Sequence, residues 1–150
     1  MSQDSTAQTV LFPEIFTKAV VAKFDQEHGS SEGGALLLKA VDEELGLSER
    51  LAACLEDPRQ AGKVRHEMLE LWRQRRFAIA CGYADANDAA RLASDPIHKL
   101  LVERDPISEE ALASQPTLSR FENRPRRADL YRVANALADG VIAHHRRRLR

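Results

Sequence analysis

Turn formers are scarce here: 7 Gly and 6 Pro in 150 residues, with only 8 aromatic residues beside them. Ala and Leu are abundant, so a mostly helical chain is expected. Cysteine is nearly absent. Cys54 and Cys81 sit inside helical patterns with no CxxC or CxxH spacing, which excludes a zinc finger or a disulfide framework and fits buried thiols in a cytosolic chain. No run approaches the roughly 18 consecutive apolar residues of a membrane span. The opening MSQDSTAQTV lacks the basic start and apolar stretch of a secretory signal. The turn His28–Gly34 (HGSSEGG) lacks the Lys-Ser/Thr ending of a phosphate loop. What remains, 43% hydrophobic and 30% charged residues, is the composition of one soluble globular domain able to build its own core.

The formal net charge of −1 hides an asymmetry. Residues 1–75 hold 9 Lys and Arg against 13 Asp and Glu, whereas residues 76–150 hold 13 against 10. From Arg120 onward there are nine Arg, no Lys and three acids, Glu122, Asp129 and Asp139. Arg used without Lys suits bidentate contacts with phosphate or guanine, although an Arg-rich helix can also simply cap and solvate a chain end.

Residues 1–15 are polar and pattern-poor, which predicts a flexible tail ahead of one helical domain over 16–150. Phe16–Phe24 (FTKAVVAKF) reads as a short N-terminal strand, and no second convincing strand is present to pair with it. Leu36, Leu37, Ala40, Val41 and Leu45 recur at helical spacing up to Gly46, a C-cap. Ser48 reads as the N-cap of a short helix carrying Leu51, Ala52 and Leu55, ended by Asp57-Pro58. The longest of the central helices is predicted from Val64 to Cys81, with Met68, Leu69, Trp72 and Ile79 on its apolar stripe and Gly82 closing it. Asp85 and Asp95 cap the next two, Pro96 sitting where its missing N–H costs nothing. Ile97, Leu100, Leu101 and Val102 form the buried side of the second.

Two short helices, Ser108–Ala113 and Pro116–Arg124, joined by Ser114-Gln115, have the form of a helix-turn-helix, and also of any helical hairpin. In the DNA-binding version Leu118 and Phe121 face the core. Thr117, Ser119, Arg120 and Asn123 face bases, since Arg suits guanine, Asn suits adenine, and Ser and Thr hold either bases or phosphates. Arg124, Arg126 and Arg127 would hold phosphates, joined by Arg146, Arg147 and Arg148 at the far end of a long amphipathic helix over Arg126–Arg150. Leu130, Val133, Ala134, Leu137 and Val141 are its predicted buried face. The whole is an all-α, multi-helix fold.

A catalytic site does not assemble. Asp85, Asp88 and Asp95 read as helix starts rather than as a divalent-metal site. His144 and His145 are adjacent and diverge on a helix, and His66 has no second His at ligand spacing. No catalytic or metal-binding residue is assigned.

The string VRHEMLELWRQRRFAIACGYADANDAARLASDPIHKLL, followed by LASQPTLSRFENR, resembles the N-terminal region of bacterial insertion-sequence transposases of the DDE group 1 type. GGALLLKAVDEELGLSERLAACLEDPR resembles that family's opening helices. The likeness spans roughly residues 16–145, with the motifs in family order. It implies enzymes of mobile elements that excise and insert DNA with three carboxylates on an RNase H-like core, where two Mg²⁺ ions activate the attacking and leaving oxygens. In the family the first catalytic Asp follows the region matching Arg126–Arg150, so the resemblance carries over no catalytic residue and implies Mg²⁺ only for a core outside this chain. It implies a part that binds double-stranded DNA at transposon ends and self-associates, in the bacterial cytoplasm at the nucleoid, with no membrane partner. An alternative is a dimerisation module built on the C-terminal helix with little DNA affinity, a truncated copy of which would poison full-length enzyme in mixed dimers.

Overall fold

A computed structural model describes residues 10–11, 20–21, 29–108 and 110–148. Among them are seven α-helices: α1 (Ala35–Leu45), α2 (Leu47–Ala52), α3 (Met68–Ala80), α4 (Ala89–Leu92), α5 (Pro96–Leu101), α6 (Gln115–Asn123) and α7 (Arg127–Arg148). The fold is all-α. The predicted strand over Phe16–Phe24 is not seen as such: only Val20–Val21 are described, in a two-residue antiparallel pairing with Val10–Leu11, and the rest of Phe16–Phe24 lies outside the described residues.

Helix α3 is the axis of the fold, touching α2, α5 and α6. Leu71 packs with Ala89, Ala113, Leu118 and Phe121 in one apolar cluster, and Phe77 packs with Ala35 and Leu101 in another. Trp72 meets Phe121 edge to face, ring centroids 6.2 Å apart, which adds directional packing to the first cluster. The helix starts four residues later than predicted. Val64 is extended, and the carbonyls of Arg65 and His66 are taken by the guanidinium groups of Arg104 and Arg59, so they are spent before a helical turn can use them.

Helix α1 presents a different face from the one its apolar spacing predicts. Leu37 and Val41 are exposed, while Ala35, Leu36, Lys39 and Asp42 are buried. Two charges can be inside because counter-charges converge on them from elsewhere in the chain. Lys39 Nζ lies 3.0 Å from Glu103 Oε1 and also pairs with Glu43. Arg73, from α3, pairs with Glu103 at 2.7 Å and with Glu49. Arg76 Nη2 lies 2.7 Å from Asp42 Oδ1, off hydrogen-bond alignment. Asp42 Oδ1 also accepts the N–H of Ser48 at 3.0 Å. Ser48 is therefore not the N-cap of α2: its amide lies in the first turn and Asp42 serves it from the preceding helix. Gly46, at φ +57, makes the turn between the two helices, a left-handed conformation that only glycine adopts without cost.

The described part of Ser108–Ala113 is not helical, so the predicted two-helix hairpin is absent. Its backbone groups are claimed from outside. Gln74, itself buried in α3, donates from Nε2 to Ala113 O at 2.9 Å and accepts the Ala113 N–H at 3.0 Å. Leu112 N–H donates to Ala93 O, and the Lys99 ammonium to Ser108 O. A segment bound in this way arrives extended at Ser114, where α6 begins.

Candidate nucleic-acid interface

Helix α6 is oriented by two residues. Leu118 and Phe121 are buried in the cluster beneath Leu71, as their spacing predicts, and Ala113, fixed by Gln74, sets the point of entry. Pro116 occupies the first turn, and Ser114 Oγ lies 3.2 Å from Thr117 Oγ1. The opposite face is outside. Arg120 and Asn123 are exposed, and Thr117 and Ser119 are half-buried. Arg120 Nε donates to Pro116 O at 3.0 Å, and Asn123 Nδ2 to Ser119 O at 2.8 Å. Both side chains thus lie along their own helix, in single exposed hydrogen bonds that are cheap to exchange for others.

Beyond α6 the chain turns at Arg124–Arg126 into α7. Asp129 accepts the Arg126 N–H at 2.7 Å, closing the first turn of α7. The side chains of Arg126 and Arg127 are exposed, and among the described residues no carboxylate lies within ion-pair distance of them or of Arg120. Arg124 is different: its Nη1 lies 3.5 Å from Asp57 Oδ1. The structure therefore gathers Thr117, Ser119, Arg120, Asn123, Arg124, Arg126 and Arg127 at one corner. Arg146 and Arg147 are exposed at the other end of α7, roughly 28 Å away at the rise of an α-helix, and cannot share a contact with that corner. The side chain of Arg148 lies outside what is described.

Most other arginines are engaged. Arg73, Arg75, Arg76 and Arg104 pair with carboxylates, Arg50 caps the end of α1 through Leu45 O and Gly46 O, and Arg91 lies over the Tyr83 ring. Sequence reasoning passed over Lys63 and Arg65, exposed on the loop between α2 and α3. The basic run from Arg59 to Arg65 could have marked them, but reading Val64 and Arg65 as helix hid the loop.

The apolar stripe predicted as the buried side of α7 is largely outside. Leu130, Leu137 and Val141 are 57%, 46% and 53% exposed. Of that stripe Val133 alone is half-buried; the helix packs by it together with Asp129 and Gly140, and a side chain at Gly140 would begin 3.1 Å from the Arg50 guanidinium.

The three carboxylates weighed as a metal group are apart in role. Asp85 accepts the Asn87 N–H at 2.9 Å and Asp95 the His98 N–H at 3.0 Å, both at helix starts, and Asp88 adjoins α4. Among the described residues no group of three or more His, Cys, Asp or Glu is placed to hold a metal ion. No helix among them is long and apolar enough to cross a membrane. No curated protein and no solved structure matches the chain. A family model, described as transposase DDE domain group 1, matches residues 12–150. The chain belongs to the transposase DDE domain group 1 family.

Proposed function

We propose that this chain is the DNA-binding portion of a DDE-type transposase and recognises the terminal inverted repeats of a mobile element. The observation that carries the reading is the corner at α6: a helix anchored by Leu118 and Phe121, whose outer face offers Arg120 and Asn123 and whose end runs into Arg126 and Arg127, exposed and without a carboxylate partner among the described residues. Arg120 and Asn123 have the donor and acceptor geometry for guanine and adenine edges in a major groove. Arg124, Arg126 and Arg127 supply phosphate contacts that fix register without reading sequence, with Thr117 and Ser119 at the margin between the two roles. The reading uses α6 alone as the helix presented to DNA. No bond-breaking step is assigned to these residues.

The test separates the two kinds of contact. Arg120→Ala is expected to cost about 1–3 kcal/mol on the inverted repeat and to relax preference at one base pair, whereas Arg127→Ala weakens repeat and scrambled duplexes alike. Equal losses on both duplexes for Arg120→Ala would remove the base-reading role.

A second reading is favoured by the exposed stripe Leu130, Ala134, Leu137 and Val141. Apolar residues at alternating spacings of three and four form the seam of a helix pair, which suits self-association through α7 with or without DNA. Sedimentation that shifts with concentration, and stops shifting in Leu137→Glu, is its expected outcome; a strict monomer would end it.

A further inference from the structure

We propose that the loop between α2 and α3 is a second phosphate-binding arm, in which Lys63 and Arg65 grip the backbone of the duplex whose bases lie against α6; this rests on the DNA-binding reading above. The loop is closed by one side chain. Arg59 Nε and Nη2 engage the Asp57 carboxylate at 2.7 and 2.6 Å, while its Nη1 donates to His66 O at 2.8 Å. One guanidinium thereby ties residue 57 to residue 66 across the intervening stretch. Val64, half-buried, lines a shallow pocket together with Ala52, Ala53 and Met68, while its neighbours on either side are exposed.

The same Asp57 fastens the loop to the proposed interface. Its Oδ1 lies 3.5 Å from Arg124 Nη1, and Arg124 is one helical turn beyond Arg120 on the same side of α6. Asp57, where the loop begins, thus stands at the end of the face that shows Arg120. The charges of this neighbourhood have already been sorted. Asp57 is held below the usual carboxylate value by the hydrogen bond from the Arg59 guanidinium, which outweighs the opposing effect of burial, with the charge of Arg124 helping. Glu56 faces Arg132, and Glu70 is shared by His66 and Arg104. Lys63 and Arg65 keep exposed side chains with no carboxylate in ion-pair distance among the described residues, and Glu67 is the neighbouring acid left without one. A loop that carries two exposed cations and is joined through Asp57 to the end of α6 is suited to the phosphates flanking that helix. A lysine acts there as a point charge and an arginine as a fork.

The experiment uses the full chain and the double variant Lys63→Ala/Arg65→Ala. Binding is followed by fluorescence anisotropy on a duplex carrying the inverted repeat that flanks the coding sequence and on a scrambled duplex, each over a series of salt concentrations. Each lost phosphate contact removes about 0.9 from the slope of log K against log salt, so the slope is expected to shrink by about two on both duplexes, with their affinity ratio unchanged. An unchanged slope and affinity in a chain that otherwise binds DNA would overturn the arm and leave the α6 reading standing. A changed repeat-to-scrambled ratio would move these residues to base edges and overturn the phosphate assignment. If the unaltered chain binds neither duplex, the arm and the DNA-binding reading fall together.

Discussion

Replacing Gln74 with Met tests whether a single side chain keeps the segment before α6 out of a helix. Methionine has nearly the volume and flexibility of glutamine, so the packing around position 74 is kept while both amide partners of Ala113 are lost. Gln74 is 2% exposed and Ala113 fully buried, so neither the N–H nor the C=O of Ala113 can turn to water instead. An orphaned buried backbone group costs about 1–3 kcal/mol, and two of them in one place, with some relaxation, come to roughly 2–4 kcal/mol. Urea unfolding followed by far-ultraviolet circular dichroism is the assay. The midpoint is expected to fall with the slope unchanged, because the surface exposed on unfolding stays the same. Since Ala113 sets the entry to α6, the variant should also lose affinity for DNA under conditions where it is fully folded. A loss below about 0.5 kcal/mol, within the ordinary range of a surface change, would refute the reasoning. The extended path of 110–114 would then have another cause.

Three further outcomes follow from the packing and the charges. Phe121→Ala removes the ring that meets Trp72 and fills the cluster under α6, and is expected to cost about 3–5 kcal/mol in chemical denaturation; a cost under about 1 kcal/mol would mean that α6 is not anchored there. Asp95→Ala loses the side-chain acceptor for the His98 N–H at the start of α5 and should cost about 1 kcal/mol, read from the same unfolding curves. Stability should also fall in two steps on acidification. Burial pushes the His98 imidazole below its ordinary value of 6.5 against the opposing charges of Asp95 and Glu32, so its contribution is complete above about pH 6.5 and is lost as pH falls through the folded value. Burial alone would push the Glu103 carboxyl up, but the hydrogen bonds and charges of Lys39 and Arg73 outweigh it and hold it below 4.5. Its contribution is complete above that value and disappears below. Glu103→Gln should cost about 1–2 kcal/mol at neutral pH, a figure discounted because the carboxylate is half-exposed, and nothing at pH 2–3. A difference that persists undiminished at low pH would show that charge is not what Glu103 supplies.

Helix existence was legible in local pattern; helix surroundings were not. Gly46, Asp95 with Pro96, and the Leu118–Phe121 spacing are signals written within a few residues, and they mark the turn, the cap and the buried face found in the structure. The burial of Lys39 and Asp42 depends on Arg73, Arg76 and Glu103, and apolar periodicity has no way to register counter-charges that arrive from other helices. The stretch 108–113 has helical composition, yet its backbone is claimed by Gln74, Lys99 and Ala93. On α7 the periodic stripe is real, but periodicity says only that a face is apolar, not that this chain covers it. At the candidate site the exposed side of α6 could be read from two core residues. The pinning of a neighbouring loop by Arg59 and Asp57 could not, since it rests on where two carboxylate oxygens sit.

The most direct measurement is titration of the purified chain against two fluorescent duplexes, one bearing the flanking inverted repeat and one scrambled, at several salt concentrations. A sequence-reading domain binds the repeat more tightly at every salt, with log K falling linearly against log salt as phosphates are neutralised. Equal, weak affinity for the two duplexes would contradict base reading by α6, and would leave the exposed face of α7 as the surface through which this chain acts.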